Sequence, residues 1–337
     1  MSTFDPNAAA APGSGLFGLS CDPATAGIVV VPAPFDATTS YRPGTAAGPA
    51  AILAASHQVD LFDVQTGRCY ERGIALLEDE AGLRALSRQA RAQAEPILQK
   101  GGADAGDGAA VAAVDAAGDR LNAAIGERVA AILARGQIPA VVGGDHSVSF
   151  GAIASCAERA PGLGILHIDA HADLRPAYEG FRWSHASIMH NVLGLDGVGR
   201  IVQVGIRDLC EAEQAAITAS AGRVITHFDI AWQRRLAGGE PYRALCDEAI
   251  EALPRDVYVS FDIDGLDPSL CPHTGTPVPG GLSFVQACLL LETLQQSGRR
   301  IVGFDLVEVA PGPDGDEWDA AVGARLLYKL CGFALLG

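Results

Sequence analysis

The chain has 337 residues, 49% of them hydrophobic, enough for a large core in one long α/β domain. Forty acidic against 24 basic residues give a formal net charge of −16. That argues against nucleic acid or an anionic membrane surface as partner, and suits metal ions or a cationic substrate. Eight cysteines are scattered without CxxC pairs. With no signal-like opening and no apolar run of about 18 residues, they point to reduced thiols in a cytoplasmic protein.

Residues 1–26 read as an N-terminal extension, with Met1 to Gly15 small, polar and expected to be poorly ordered. Residues 27–337 read as one domain. Gly27-Ile-Val-Val-Val-Pro-Ala-Pro is a buried-type strand, Phe35 to Gly48 is loop-like, and Pro49 to Ser56 is a helix candidate. Gly101 to Gly118, rich in Gly, Ala and Asp, reads as a loop or tolerated insertion. A helix from about Asp119 to Arg135 follows, stopped by Gly136. An alternation then sets in. Strand candidates are Ala140–Val142, Gly164–Ile168, Ile201–Val204, Val224–Phe228, Val257–Phe261 and Ile301–Leu306. Helix candidates are Val148–Arg159, Glu211–Ala221, Pro241–Leu253, Ser283–Ser297 and Glu317–Leu330. The strands are near-continuous Val, Ile and Leu, the mark of parallel strands covered on both faces. The expectation is a single doubly wound, mostly parallel sheet of about seven or eight strands.

Three polar clusters fall at strand ends, where sites form in such sheets. They are Gly143-Gly-Asp-His-Ser147, Asp169-Ala-His-Ala-Asp173 and Ser260-Phe-Asp-Ile-Asp-Gly-Leu-Asp-Pro268. Each read alone is a turn. In extended chain, however, side chains two residues apart share a face. Asp169, His171 and Asp173 therefore converge, as do Asp262 and Asp264, and oxygen with imidazole nitrogen suits divalent manganese, zinc, nickel or iron. Asp169, Asp173, Asp262 and Asp264 carry four negative charges, which two divalent ions balance.

GGDHS, DAHADL and SFDIDGLDPS, in this order and spacing, resemble the three signatures of the ureohydrolase (arginase/agmatinase) family. The resemblance implies an arginase-like fold and a manganese pair that hydrolyses a guanidinium carbon and releases urea, with nickel as the alternative metal. Carried over, one metal takes His146, Asp169, Asp173 and Asp262; the other takes His171, Asp169, Asp262 and Asp264. Glu308 resembles the carboxylate that pairs with the substrate guanidinium. Planar paired N–H donors match a carboxylate bidentately. His185, in Trp183-Ser-His-Ala-Ser, resembles the histidine that shuttles protons to the leaving amine, a task its ordinary near-neutral pKa suits. Thr276, in Thr274-Gly-Thr-Pro, resembles the threonine that holds the guanidinium-binding carboxylate. Asp173, His185 and Glu308 form the implied catalytic set. The family also implies a homo-oligomer, a trimer or hexamer, or a mixed assembly with a paralogue.

Other classes stay in competition: a single-zinc deacetylase-like enzyme, and a non-catalytic metal-binding partner subunit. His57, His190 and His227 read as structural, and His167 as a satisfied core histidine. The substrate tail falls to the loops Asp36–Arg42 and Leu174–Ser184 and to His273. Inward-facing Arg42, Arg175 and Arg182 would favour an anionic tail, and Tyr41, Tyr178, Phe181 and Trp183 a small apolar pocket. The reading is a small guanidine compound (guanidine, an alkylguanidine or a guanidino acid), with agmatine or arginine as alternatives. Phe4-Asp-Pro-Asn, Leu16-Phe-Gly-Leu and Phe35-Asp-Ala-Thr-Thr-Ser-Tyr resemble a nickel-using branch that acts on guanidine itself.

Overall fold

Uninterrupted Val and Ile runs leave neither face of a strand to water, and here such runs become central strands of one sheet. The structure is a computed structural model describing residues 5–11, 13–78 and 81–337. Its strands are β1 (Ile28–Ala33), β2 (Ile74–Leu76), β3 (Ile138–Gly143), β4 (Leu163–Ile168), β5 (Val198–Ile206), β6 (Val224–Phe228), β7 (Asp256–Asp262) and β8 (Arg300–Val307). All pair in parallel, in the order β2-β1-β3-β8-β7-β4-β5-β6. The chain leaves β3 for β4 across two strand positions that β7 and β8 fill later. The doubly wound sheet expected from the sequence is thus present, and wholly parallel.

Successive strand residues feed two cores. Ile28 and Val30 of β1, with Leu166 and Ile168 of β4, pack under α1 (Gly48–Ser56), α8 (Tyr242–Glu251), α9 (Phe284–Gln296) and α10 (Trp318–Leu336). Val29, Val31 and Ile165 face α2 (Ala81–Gln99), α3 (Gly108–Ala134), α4 (Phe150–Arg159) and α5 (Ile188–Leu193). Each fully buried aliphatic side chain contributes about 1.5–3 kcal/mol relative to exposure. Helices α6 (Glu211–Ala219) and α7 (Asp229–Ala237) pack at the β6 edge of the sheet. No helix of the described residues is long and apolar enough to cross a membrane.

Three findings depart from the sequence expectations. First, α3 starts at Gly108, inside the stretch read as a loop. Its Ala-rich start favours helix, but Gly108 and Gly118 mask the signal. Gly118 is a contact point: a Cβ there would lie 2.6 Å from Cδ1 of Trp183. Second, β2, α2, α5 and α7 were not expected; α2 carries Leu83, Leu86, Ala90, Ala94 and Ile97 on one buried stripe. Third, the N-terminal extension is part of the fold from Leu16 onward. Leu16, Phe17 and Leu19 are buried, the Phe17 N–H donates to Ser56 Oγ at 2.9 Å, and the Phe17 ring meets Tyr328 edge-on. The expected poor order of Met1 to Gly15, and Phe4 of the outer motif, fall in part on residues 1–4 and 12, outside the described residues.

The Gly118 contact is testable. Gly118→Leu should lower unfolding free energy by about 1–3 kcal/mol, the usual cost of overpacking. Gly108→Ala, where no atom lies within 4 Å of the added Cβ, should cost nothing; urea melts measure both.

Candidate metal centre and substrate cavity

Four adjacent strands, β3, β8, β7 and β4, end on one side of the sheet, and each delivers a polar group there. The turn after β3 carries His146, and β8 runs into Glu308. Strand β7 ends on Asp262 and turns to Asp264. The loop after β4 carries Asp169, His171 and Asp173. All are buried except His171, which is partly open to the cavity. The six expected ligand residues and Glu308 are therefore brought together.

Asp262, Asp264, Asp169 and Glu308 are each held by a backbone N–H on one oxygen, which leaves the other free to turn inward. Asp262 Oδ1 accepts the Asp264 N–H at 2.8 Å, while its Oδ2 lies 3.4 Å from His146 Nδ1. Asp264 Oδ1 accepts the Ala170 N–H at 3.0 Å, and its Oδ2 lies 3.1 Å from His171 Nδ1. Asp169 Oδ1 accepts the His171 N–H at 2.6 Å, and its Oδ2 lies 3.1 Å from His146 Nδ1. Asp173 Oδ2 is 3.2 Å from the same nitrogen. Glu308 Oε1 accepts the His146 N–H at 2.9 Å, and its buried Oε2 has no partner.

His146 is the clearest case. Its Nε2 lies 2.9 Å from Ser260 Oγ, which donates to Asp305 Oδ1 at 3.0 Å. Its Nδ1 is buried and without a hydrogen-bond partner, because none of the three nearby carboxylate oxygens is aligned with it. An imidazole anchored at one nitrogen, its other nitrogen pointing among carboxylates, has the form of a metal ligand with its outer support. Asp173 and Glu308 also hold left-handed backbone, at φ 55° and 62°, which costs non-glycine residues roughly 1–3 kcal/mol and collects at functional sites.

The charges are far from rest. Burial, then the Asp264 and Asp169 charges, push Asp262 well above the usual carboxylate range. Burial and Asp169 raise Asp173 to about 6. Burial, Asp262 and Asp145 raise Glu308 well above its ordinary value. Burial also opposes charge on Asp169, but His167, His146 and His171 outweigh it and hold its carboxyl low. On His171, burial is outweighed by Asp264 and Asp169, which lift the imidazole to about 12. Without metal, protons on imidazoles supply the positive charge this cluster demands.

Above the cluster lies a cavity of about 430 Å³, lined by His171, Asp173, His185 and Thr276 among others. His185 is desolvated, and with the neighbouring His171 and His146 charges this lowers it to about 3, so its imidazole is neutral rather than poised near neutrality. Thr276 lines the cavity, but the threonine hydroxyl bonded to Glu308 belongs to Thr274, which donates to the Glu308 carbonyl at 2.8 Å. Arg42 and Arg175 line the cavity; Arg182 instead donates to Asp119 Oδ1 at 2.7 Å. His273 is turned to Asp319, with Nδ1 2.8 Å from Oδ2. Tyr41 and Tyr178 line the wall, whereas Phe181 is buried in a separate core and Trp183 packs on Phe150. The expected apolar pocket is thus only half aromatic, and Asp208 and Glu213 complete its wall.

The strand alternation allows His167, two residues before Asp169, to face the site, and its Nε2 is 2.8 Å from Asp169 Oδ2. Sequence reasoning missed Ser260, two residues before Asp262, which the same alternation finds.

A family model described as the arginase family matches residues 26–332. An N(1)-aminopropylagmatine ureohydrolase of Thermus thermophilus is 34% identical over 90% of this chain and 89% of its own. A guanidinobutyrase of Pseudomonas aeruginosa is 30% identical over 88% and 83%. The crystal structure of an agmatine ureohydrolase from Thermoplasma volcanium superposes with a TM-score of 0.72 at 26% identity, over 94% of this chain and 92% of that one.

A pH prediction follows for metal-free protein. The folded pKa of His171 is raised to about 12, above its unfolded value of about 6.5. Its contribution to stability is therefore complete below that unfolded value and lost as pH rises toward the folded one. In chelator, the melting temperature should fall from pH 6.5 to 9, and fall less in His171→Asn. An equal slope in both would show that the His171 pairing does not form.

Proposed function

The chain belongs to the arginase family of guanidino C–N hydrolases, and on that premise we propose that its cluster holds two divalent metal ions over which a small guanidine compound is cut to urea and an amine or ammonia. His146, Asp169, Asp173 and Asp262 would hold one ion, and His171, Asp169, Asp262 and Asp264 the other. The donor set fits: His146 Nδ1 is orphaned among three carboxylate oxygens, and converging carboxylates otherwise take up protons. Manganese is the first choice and nickel the second, since both accept mixed oxygen and imidazole donors. When bound, the metals supply Lewis acidity at the reacting carbon and acidify water.

The observation that carries the substrate class is Glu308. Its Oε2 is buried and unpartnered, and a Cβ at Gly275, next to cavity-lining Thr276, would stand 3.5 Å from it. A guanidinium pairs with such a carboxylate through two parallel N–H bonds. Glu308 thereby binds and orients the cation. His185, at the cavity, would shuttle a proton to the leaving nitrogen. Thr276 would contact the guanidinium end.

For the tail, Arg42 and Arg175 support a guanidino acid or a substrate with no tail over one with a second cationic group. The Arg175 guanidinium lies 4.7 Å over the Tyr178 ring, with Nε 3.5 Å from Glu213. The protein would work as a cytoplasmic homo-oligomer; eight free cysteines support a reducing compartment.

The test is urea release by manganese- and nickel-loaded protein from guanidine, methylguanidine, 4-guanidinobutyrate, agmatine and arginine. A small guanidine or guanidino acid should lead in kcat/KM. A tenfold preference for arginine or agmatine, about 1.4 kcal/mol in the transition state, would overturn the tail assignment. Glu308→Gln should lower kcat/KM by about a hundredfold with metal content kept, losing a charge-assisted pair. Asp262→Asn should bring metal content below two per chain, and His185→Asn should keep the metal while lowering kcat.

A further inference from the structure

We infer that His167 is a positioning residue, the last member of a polar ladder across three strands that orients Asp169 toward both metal positions. The inference rests on the metal-centre reading above. His167 of β4, Gln203 of β5 and Thr226 of β6 are direct register partners, so their side chains share one face of the sheet. Thr226 Oγ1 donates to Gln203 Oε1 at 2.8 Å. Gln203 Nε2 donates to the Ala172 carbonyl at 2.8 Å and lies 3.0 Å from His167 Nδ1. His167 and Gln203 are fully buried.

The hydrogen positions follow by elimination. A backbone carbonyl only accepts, so the Gln203 atom facing Ala172 must be its NH2 group. That same NH2 faces His167 Nδ1, which must therefore offer a lone pair. The ring proton sits on Nε2, whose N–H donates to Asp169 Oδ2 at 2.8 Å. This decides the role of His167. It lies close enough to His146, Asp169 and Asp173 to share an ion with them, but the nitrogen on that side carries a proton. His167 is a donor to a ligand, not a ligand.

The consequence falls on Asp169. Its Oδ2 receives the His167 N–H and its Oδ1 the His171 N–H. Each oxygen of an ionised carboxylate has two lone pairs. One donor on each leaves one lone pair on each, Oδ2 beside His146 and Oδ1 beside His171. Asp169 is thus held in an orientation in which it would serve both metal positions at once. Without His167, Oδ1 keeps the His171 N–H but Oδ2 loses the donor that fixes its direction.

Metal content of manganese-loaded full-length protein, with affinity from competition against a fluorescent chelator, tests this independently of turnover. Glutamine carries its amide to about the Nε2 position of histidine, whereas asparagine reaches only the Nδ1 position. His167→Asn should weaken metal binding by about 10- to 100-fold, the usual loss when an outer partner is removed. His167→Gln should stay within about threefold of the parent protein by restoring the donor. Melting temperatures of the metal-free variants should be alike. Should His167→Asn fail to fold, Gln203→Leu carries the test, with affinity expected to fall about tenfold. Parental affinity in His167→Asn or Gln203→Leu would overturn the inference, as would equal loss in His167→Gln and His167→Asn. A parent protein that binds no divalent metal would sink the metal-centre reading as well; one that binds two, with indifferent variants, would sink the ladder alone.

Discussion

The constraint on which this structure depends is the mutual repulsion of buried carboxylates. Asp169, Asp173, Asp262, Asp264 and Glu308 are gathered at neighbouring strand ends with almost no access to water. Bringing isolated charges into such a place costs several kcal/mol each unless something of opposite sign comes with them. Part of the remedy is local. Backbone N–H groups of Ala170, His171 and Asp264 hold one oxygen of a carboxylate each, as the His146 N–H does for Glu308. These bonds set direction but leave net charge behind. Two imidazoles at the centre of the cluster answer that charge with protons, and a cation pair answers it better.

The parallel sheet is what makes this gathering possible. Every strand points the same way, so every loop that follows a strand opens on one edge, and the two positions skipped between β3 and β4 let four loops meet. The residues that gather here were legible in the sequence for this reason: strand periodicity fixes which residues of D-A-H-A-D and D-I-D share a face, without knowledge of the fold. The parallel sheet was equally legible, since strands apolar on both faces have no other home.

What the sequence left unread has equally physical causes. Helix α2 and the first turns of α3 are rich in alanine, arginine and glycine, and their buried stripe shows only against the sheet they cover. Thr274 and Thr276 sit two apart in a loop, where no periodicity says which hydroxyl reaches Glu308. Arg182 and His273 were candidates for the cavity because they flank it in sequence. Asp119 and Asp319 draw them elsewhere, and those partners lie 63 and 46 residues away along the chain. His167 was read as a satisfied core histidine and is one; the group that satisfies it is the Asp169 carboxylate of the cluster.

The left-handed backbone at Asp173 and Glu308 has a consequence for how this chain drifts and how it is engineered. Glycine at 173 would relax the main chain and remove a carboxylate from the crowded cluster, two gains for the fold. At 308 the same change would also strip the buried His146 N–H of its acceptor, which offsets the gain. Variants chosen only for resistance to heat would therefore collect glycine at 173 first, and selection on turnover must act continuously there, because folding pulls that position the other way.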